Sequence, residues 1–424
     1  MSVAAAVAPR AHLAPRLPAF ALFAALLAAA GLPIYIHAPK FYVDEYGVSL
    51  AALGAVLFGL RLLDVVQDPA LGWLSERLRE WRATATGLAT GLLALSMLGL
   101  FAVAPPVAPL LWFALCLTGL FSAFSFLTIT FYAQGVDAAA RLGEGGHVRV
   151  AGWRETGALL GVSVAAVVPG VVMAAGGAAP FAIFAWGFAV LAALALAAMR
   201  GNWQPGTTGG GVVSLDGFRV ILSDRLSRRL LVIALVNAMP VAVTSSLFLF
   251  FVESRLMAPG LEGPFLLLFF LSAAASAPLW ARTARARGAR TMLLWGMALS
   301  IVAFAFAVTL GAGDLWAFAI ICIASGAALG ADMTLLPALF AARLARIAPG
   351  AAQGFGLWNF VTKFTLAFAA VSLLPVLELS GFRVGTDNPE TALWTLTLLY
   401  AVVPCALKLV AIILLARTRS VEDV

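Results

Sequence analysis

Long apolar stretches alternate with short polar, arginine-containing loops along the whole chain. Stretches of about 20 apolar residues, the length that crosses a bilayer as a helix, recur twelve times. Their length, and the Gly and Pro within them, favour helices over the alternating ten-residue strands of a membrane barrel. The pattern predicts an all-α membrane protein with twelve transmembrane helices, at 18–39, 48–73, 84–104, 108–133, 153–175, 179–199, 228–252, 264–281, 291–311, 315–340, 352–379 and 391–416.

The composition agrees with a membrane setting. Hydrophobic residues make up 62% of the chain, charged residues 11%, and the mean hydropathy is +1.01, so too few polar residues remain to cover a water-soluble globule. Cys116, Cys322 and Cys405 stand alone in different stretches, which indicates neither a disulfide framework nor a metal cluster. The sequence lacks GxSxG, HExxH and Walker patterns, so an enzyme is disfavoured.

The basic residues are distributed asymmetrically. If both termini lie in the cytoplasm, about 21 of the 27 Lys and Arg residues fall in cytoplasmic loops and ends, and only Lys40, Arg255 and Arg383 fall on the other side. This asymmetry predicts an even number of crossings. It also accounts for the net charge of +7 without a nucleic-acid partner. The Ala-rich, Arg-over-Lys composition suggests a GC-rich bacterial genome, and hence the bacterial inner membrane.

The apolar stretches divide into two groups of six. A Gly-rich polar segment separates the sixth from the seventh, which predicts an N-terminal bundle over 1–200, a cytoplasmic linker over 201–227 and a C-terminal bundle over 228–424. Residues 214–229 are amphipathic enough for a helix on the membrane surface, and an ordinary solvated linker helix is the equal alternative. A basic loop follows the second stretch of each group, which suggests an internal repeat.

Three charged residues interrupt the second apolar stretch. Arg61, Asp64 and Asp68 are three and four residues apart, so a helix places them one turn apart on one face. Charges inside hydrocarbon are costly and mark functional sites. The three side chains sum to about one net negative charge, which makes them a plausible binding site for one monovalent cation. Pro69 frees the backbone carbonyl of Val65 from helical hydrogen bonding, so that this oxygen can serve as a further ligand or the helix can kink. The alternative is a structural ion pair between neighbouring helices.

A lysine lies deep in the eleventh stretch. Lys363 is about twelve residues into its apolar run, too far to reach water by extending its side chain. We expect it to pair with Asp64 and Asp68 as an internal counter-charge that a bound ion displaces. Asn359 lies one turn earlier on the same face and is a candidate for substrate contact. Lys408, in the last stretch, is expected to be structural.

Several strings resemble one transporter family. They are Arg61-LLDVVQDPALGWLSER, Gly356-LWNFVTKFTLAFA-Ala370, Tyr42-VDEYGVSLAALGAVL and Trp153-RETGALLG. With the two groups of six helices, they make the chain resemble the major facilitator superfamily and, within it, the glycoside-pentoside-hexuronide cation symporters, the melibiose-permease-like branch. The resemblance implies two six-helix bundles, alternating access and cation-coupled symport of a sugar-like solute.

Position by position, the resemblance implies roles for individual residues. It places the cation-binding carboxylates at Asp64 and Asp68, with Gln67 beside them. Arg154 falls where the family has an arginine near its substrate and cytoplasmic gate. Lys363 falls on the family's eleventh-helix lysine, close to the cation site. Together with Arg61 in the second stretch, Arg154 and Lys363 are therefore candidates for substrate binding or coupling.

The loop after the second stretch resembles the superfamily's signature between its second and third helices. Glu76 stands where the family usually has an aspartate, and Arg77 and Arg79 follow it. The resemblance implies that these residues latch the inward-closed state through ion pairs. Their role would then be gating rather than choice of substrate.

The chain departs from the family where sugars are bound. The acid of the first helix corresponds to Ala28 and that of the fourth to Phe124, while the sodium-binding hydroxyl falls near Phe121, with Thr118 or Ser122 as substitutes. Sugar recognition relies on carboxylates that accept hydrogen bonds from hydroxyls, so a galactoside is disfavoured. Because fewer oxygen ligands remain for sodium, a proton is favoured as the coupling ion.

The main prediction is a secondary active transporter that couples H⁺ or Na⁺ to a small organic solute. Tyr35, Phe124 and Trp358 are candidates to line a more apolar cavity, although packing is the commoner role of aromatic residues on helices. The alternatives are an uncoupled or proton-coupled mover of a lipid-like or drug-like solute, and a transporter-shaped sensor. We expect no cofactor beyond the coupling ion, no partner beyond solute and bilayer, and a monomer.

Overall fold

The computed structural model describes residues 15–177, 179–203, 216–347, 351–383 and 388–418, and this part of the chain is almost entirely helical, without strands. The helices are α1 (Leu17–Ala29), α2 (Leu32–Tyr46), α3 (Leu50–Arg77), α4 (Arg82–Phe101), α5 (Pro109–Leu142), α6 (Gly146–Ala174), α7 (Pro180–Met199), α8 (Asp216–Ser223), α9 (Arg225–Phe250), α10 (Glu262–Arg287), α11 (Ala289–Ala305), α12 (Leu315–Ile347), α13 (Ala351–Leu379), α14 (Glu390–Thr397) and α15 (Val403–Ala416).

These helices make twelve crossings that coincide with the predicted apolar stretches. In the described ranges, nine helices are long and apolar enough to cross a membrane. The other three crossings are α1 with α2, α3 and α13; at 1.5 Å per residue, α3 and α13 are each about 40 Å long. The fold is therefore an all-α membrane protein with two six-helix bundles, here called the N half (α1–α7) and the C half (α9–α15). The predicted linker, 201–227, lies partly outside the described residues, so its limits stay a prediction.

The first crossing differs from its predicted limits of 18–39. It consists of two helices that meet at Ala30 and Gly31, and the second runs on to Tyr46. Pro33 lies in the first turn of α2, where a missing backbone N–H costs nothing. Gly47 ends α2 in a left-handed conformation, with φ of 65°. Hydropathy ends the stretch too early because the last turns of α2 are polar.

The helix ends that carry most of the arginines lie on one side of the bundle, here called the basic end. It is formed by the ends of α3 and α5 at Arg77 and Leu142, the start of α6 at Gly146, the end of α10 at Arg287 and the start of α13 at Ala351. The connections between helices alternate between this end and the opposite end, as expected for antiparallel neighbours joined by short loops.

Among the described residues, the two halves share one large core toward the basic end, and a small cluster further inside joins Leu159 of α6 to side chains of α10 and α12. Ile129, Ala133 and Val136 of α5 pack there with side chains of α9, α12 and α13. Two further large clusters, one within residues 17–203 and one within residues 242–401, contain members of one half each. The described halves are therefore packed together at the basic end, whereas at the opposite end the C half closes on its own core.

Two glycine contacts set the spacing between the halves near the basic end. Gly72 of α3 faces Gly356 and the backbone of α13, and a methyl group on Gly72 would lie 2.9 Å from the Ala352 carbonyl oxygen. Gly152 of α6 faces Ala281 of α10, where a methyl group would lie 2.7 Å from the alanine methyl. The small residues let backbones from the two halves approach closely.

The start of the C half is fixed by one carboxylate. Asp224 caps α9 by accepting a hydrogen bond from the backbone N–H of Ser227 at 2.8 Å, and it binds the Arg343 guanidinium of α12 at 2.6 and 3.1 Å. The hydrogen bonds from Arg343 lower the pKa of Asp224 to about 2. The carboxylate therefore stays ionised at physiological pH and ties α9 to α12.

We predict that Gly356→Ala loosens the contact between the halves. The added methyl group would lie 2.8 Å from the backbone carbonyl oxygen of Asp68, which cannot move without its helix. The expected loss is about 1–3 kcal/mol of stability. Gly91→Ala on α4 is the matched control, because nothing lies within 4 Å of its new methyl group. Thermal unfolding measures both variants, and equal melting temperatures would contradict the prediction.

Candidate functional site

The interface between the halves holds two aspartates and one lysine. Asp64 and Asp68 lie one turn apart on α3 and are 2% and 0% exposed. The Nζ atom of Lys363, on α13, lies 3.3 Å from Asp64 Oδ1, and it donates a hydrogen bond to Asp68 Oδ1 at 3.2 Å. The carboxylates belong to the N half and the ammonium group to the C half, and the side chain of Lys363 is 14% exposed.

The crossing of α3 and α13 explains this meeting. The two helices run antiparallel and touch at Gly72 and Gly356. At a rise of 1.5 Å per residue, Asp68 lies about 6 Å and Asp64 about 12 Å from that contact, measured along α3 toward the opposite end. Measured along α13 in the same direction, Lys363 lies about 10 Å from the contact. The lysine side chain therefore reaches the level between the two carboxylates.

Polar side chains of α5 and α3 complete the site. Ser125 is fully buried; its Oγ accepts a hydrogen bond from Lys363 Nζ at 2.7 Å and donates one to Asp64 Oδ1 at 3.4 Å. Gln67 Nε2 donates to Asp64 Oδ1 at 2.9 Å, and Gln67 Oε1 accepts from Ser122 Oγ at 3.1 Å. The predicted trio of Asp64, Asp68 and Gln67 is thus joined by two hydroxyl groups.

Ser125 is absent from the residues that the sequence singled out. The resemblance placed the family's sodium-binding hydroxyl near Phe121, with Thr118 or Ser122 as substitutes. Phe121 is buried in the core of the N half, and Thr118 donates to the carbonyl of Ala114 on its own helix at 2.7 Å. Position 125 lies one turn beyond 121 on the same face of α5, so a search along that face would have found it.

Among the described side chains, the site carries one uncompensated negative charge. Its two carboxylates and one ammonium group sum to −1, a count that leaves out Arg61, whose side chain lies outside the described residues. Asp68 Oδ2 is buried without a hydrogen bond, although it lies 3.1 Å from Lys363 Nζ. Like charges held this close in a dry site favour uptake of a proton or a cation. All the groups able to ligate an ion are oxygens, of carboxylate, amide and hydroxyl type, which suit a hard cation such as Na⁺.

Arg154 belongs to a second polar cluster between the halves. Its Nε donates to Glu155 Oε1 at 2.7 Å, and its guanidinium lies 3.6 Å above the ring of Tyr132. The Tyr132 hydroxyl donates to Glu155 Oε1 at 3.3 Å, and its ring packs on Phe355 of α13 with 5.0 Å between centroids. Arg154 and Glu155 are 4% and 1% exposed, and their opposite charges compensate each other in this buried cluster.

The predicted gating residues have different surroundings. Glu76 is buried and accepts a hydrogen bond from the backbone of Ala352, across the contact between the halves. Arg79 lies 3.8 Å from Glu76, a loose ion pair. The guanidinium of Arg77 lies 5.3 Å from the ring of Trp73 on the surface of its own helix. Glu76 therefore touches the C half.

A buried arginine that the sequence did not single out holds α4 to α5 beside this contact. Arg82 is 4% exposed and donates to Asp137 Oδ2 at 2.7 Å and to Gln134 Oε1 at 2.8 Å. Next to it, the hydroxyl groups of Ser75 and Thr130 are 2.7 Å apart. The basic end of the N half is thus joined by charge-assisted hydrogen bonds.

Comparison with known protein families decides the class of the protein. A family model described as MFS/sugar transport protein matches residues 18–420. The chain belongs to this family. It is the family of the melibiose-permease-like branch that the sequence strings resemble, so that prediction is confirmed. A comparison with curated protein sequences finds no significant match.

Solved structures similar to this transporter share its fold. A bacterial homologue of the iron transporter ferroportin in an outward-facing state matches with a TM-score of 0.68 and 15% identity, over 96% of this chain and all of that one. The same homologue with soaked iron matches with a TM-score of 0.68 and 16% identity, over 95% and 99% of the chains. The human organic anion transporter MFSD10 matches with a TM-score of 0.63 and 16% identity, over 94% and 98%. The protein is a membrane transporter of the major facilitator type.

Of the remaining residues predicted to bind substrate, Trp358 and Phe124 pack against the cores of the transporter. Trp358 is buried and stacks on Phe340, with 5.1 Å between ring centroids. Phe124 is partly buried against the core of the N half. Asn359 is half-buried on α13. The side chains of Tyr35 and Arg61 lie outside the described residues.

The C half of the transporter also holds a lysine that is buried within its own bundle. Lys408 of α15 is 2% exposed; it forms an ion pair with Asp332 of α12 and donates to Asn237 Oδ1 of α9 at 2.8 Å. One positive and one negative charge balance here, and all three groups belong to the same half. The arrangement agrees with the structural role expected for Lys408.

We predict that Ser125→Ala lowers the stability of the transporter by about 1–3 kcal/mol, because it removes a buried partner of both Lys363 and Asp64. Ser122→Ala is the matched control, because Ser122 is half-buried and donates its hydrogen bond to the uncharged amide oxygen Gln67 Oε1. Thermal unfolding in detergent measures the two variants side by side. A Ser125→Ala protein as stable as the control would argue against the hydroxyl bridge.

We predict that Lys408→Met costs about 3–5 kcal/mol, because it leaves the Asp332 carboxylate buried and unpaired. The double variant Lys408→Met, Asp332→Asn removes both charges and is expected to recover most of that loss. Thermal unfolding of the single and double variants measures the difference. A double variant no more stable than the single one would show that the charges do not act as a pair.

Proposed function

We propose that this transporter is a cation-coupled symporter of a small organic, sugar-like solute that works by alternating access. The observation that carries the proposal is the lysine of the C half between two buried aspartates of the N half, with one negative charge left over. A monovalent cation can take the place of the ammonium group there without changing the charge of the site. The coupling is thermodynamic, because ion and solute favour the same arrangement of the halves.

Lys363 would act as the competitor of the coupling ion. In the described arrangement its ammonium group occupies the space between Asp64, Asp68 and Ser125. An arriving cation takes over these oxygens, the ammonium group withdraws with α13, and the contact between α3 and α13 changes. The site thereby links ion binding to the relative position of the two halves.

Both H⁺ and Na⁺ are compatible with this mechanism. A proton needs one carboxylate and no coordination shell, which was the reason to favour it. Sodium needs several oxygens, and Asp64, Asp68, Gln67, Ser122 and Ser125 bring five side chains with oxygen atoms together. The serine hydroxyls thus remove the shortage of ligands on which the preference for a proton rested.

A second candidate function is the movement of a more apolar solute, with a proton or without coupling. It is favoured by the two positions that correspond to the family's sugar-binding acids. Ala28 is half-buried, and Phe124 packs against the core of the N half. Neither accepts a hydrogen bond from a sugar hydroxyl through its side chain. A screen of solute classes separates the two candidates.

The proposed setting is a bacterial inner membrane, with the basic end in the cytoplasm and the protein a monomer. The distribution of arginines supports this orientation. Both the family and the structural neighbours are transporters, and we propose no catalytic role for the buried carboxylates.

The function is tested by thermal shift of the purified transporter with solute classes, with and without sodium, at two pH values. We expect a solute whose stabilisation grows when sodium is added or when the pH falls. A hundredfold excess of ligand over its Kd raises stability by about 2.7 kcal/mol, which is a measurable shift. A solute that binds equally under all four conditions would select the uncoupled alternative.

We predict that Asp64→Asn and Asp68→Asn each abolish the dependence of solute binding on the cation, because each removes the excess negative charge. Glu144→Gln, on an exposed loop at the basic end, is the control for loss of a carboxylate and is expected to keep the dependence. Uptake into proteoliposomes with imposed proton or sodium gradients tests the same variants and Lys363→Ala. Coupled uptake at wild-type rates in Lys363→Ala would contradict the role of the lysine.

A further inference from the structure

A cleft that holds three arginines lies between the halves at the basic end, away from the aspartates. Its volume is about 340 Å³. One wall is a face of α6 that carries Arg149 and Trp153, and the other is a face of α10 that carries Arg282 and Arg285. On each helix the lining positions are separated by three or four residues, so each wall is one continuous helix face.

The charge of this cleft is unbalanced. Arg282 and Arg285 are exposed and Arg149 is half-buried, and none of the three has a carboxylate or hydrogen-bond acceptor among the described residues. The buried arginines elsewhere are matched: Arg82 by Asp137 and Arg154 by Glu155. Three guanidinium groups around one space repel one another, and together they offer many N–H donors. The complementary ligand is an anion with several acceptor oxygens.

The geometry ties the cleft to the contact between the halves. Gly152, also on the α6 wall, faces Ala281 on the α10 wall, at the point where a methyl group would lie 2.7 Å from the alanine methyl. The cleft exists in this form only while α6 and α10 remain in contact. An anion that bonds Arg149 on one wall and Arg282 on the other therefore binds the closed basic end better than an open one.

We propose that this cleft is a binding site for a phosphate-type anion, either a free phosphate group or a phospholipid headgroup, and that the bound anion holds the basic end closed. The size of the cleft suits a phosphate group with its hydration or its ester substituent. Trp153 is 44% exposed beside it, and indole rings prefer the headgroup level of a bilayer. The cleft shares no residue with the cation site.

The test compares two sources of phosphate in the full-length protein. Melting temperatures are measured in detergent with sodium phosphate against sodium chloride at equal ionic strength, and in nanodiscs of phosphatidylglycerol against phosphatidylcholine. Nitroxide labels at Glu80 of the N half and Ala286 of the C half report opening of the basic end by their distance distribution. The triple variant Arg149→Gln, Arg282→Gln, Arg285→Gln removes the site. Arg287→Gln, on the same helix but outside the cleft wall, controls for loss of one positive charge.

We expect phosphatidylglycerol to raise the melting temperature and to increase the closed population at the basic end in wild type and in Arg287→Gln. In the triple variant we expect both effects to be lost, and in Arg282→Gln alone the affinity for the anion to fall about tenfold. An equal response to sodium phosphate would identify a free anion as sufficient, and a response to lipid alone would identify the headgroup. Equal responses in the triple variant and the control, no response in wild type, or binding without a change in the distance distribution would overturn the proposal.

Discussion

One lysine shared by two buried aspartates is the interaction on which the rest of this structure depends. Charges removed from water carry a large desolvation cost that only close partners offset. Here the partners lie on different halves, because Asp64 and Asp68 belong to α3 and Lys363 belongs to α13. Among the described side chains, each of these charges has its ionic partner on the other half. The contact between the halves is therefore part of the electrostatic balance of the site.

The backbone contact at Gly72 and Gly356 makes this balance sensitive to position. The helices touch about 10 Å from the lysine, and they are held at backbone distance by two residues without side chains. A small rotation about such a contact moves the ammonium group away from the carboxylates without unpacking either bundle core. Glu76 and Ala352 lie on the other side of the contact, so the same rotation breaks their hydrogen bond. In the proposed mechanism, the cation site and the Glu76–Ala352 hydrogen bond are thus linked through one helix crossing.

The sequence predicted the charged residues of the site because they break a strong pattern. Asp64, Asp68 and Lys363 are charges within apolar stretches, and the cost of burying them is readable without a structure. Ser125 and Arg82 break no pattern: a serine inside a membrane helix is ordinary, and an arginine at a helix start is expected from topology alone. Their roles depend on which helix faces which, and single-sequence periodicity does not contain that information.

The aromatic residues also show what single-sequence periodicity does not decide, which is whether a side chain lines a cavity or packs in a core. Trp358 and Phe124 were candidates for a substrate cavity because aromatic side chains serve both cavities and cores. The structure shows Trp358 stacked on Phe340 within the core shared by both halves. The first crossing was misjudged for a related reason, since hydropathy stops at polar residues, whereas α2 continues as a helix to Gly47. The packing of Trp358 and the length of α2 are both set by tertiary context, which outweighs the local sequence pattern.

Lys408 and Lys363 show how the same chemistry can serve a contact within one half and a contact between the halves. Lys408 meets one aspartate, both belong to the C half, and the charges cancel. An incoming ion would not stabilise such a neutral pair, and breaking the pair would leave a buried charge without a partner. The pair therefore helps to keep the C half rigid. Lys363 meets two aspartates of the other half, and these three groups sum to −1, so in the proposed mechanism a cation can take the place of the lysine. Alternating access needs both: halves that do not deform, and one interface whose balance an ion can change.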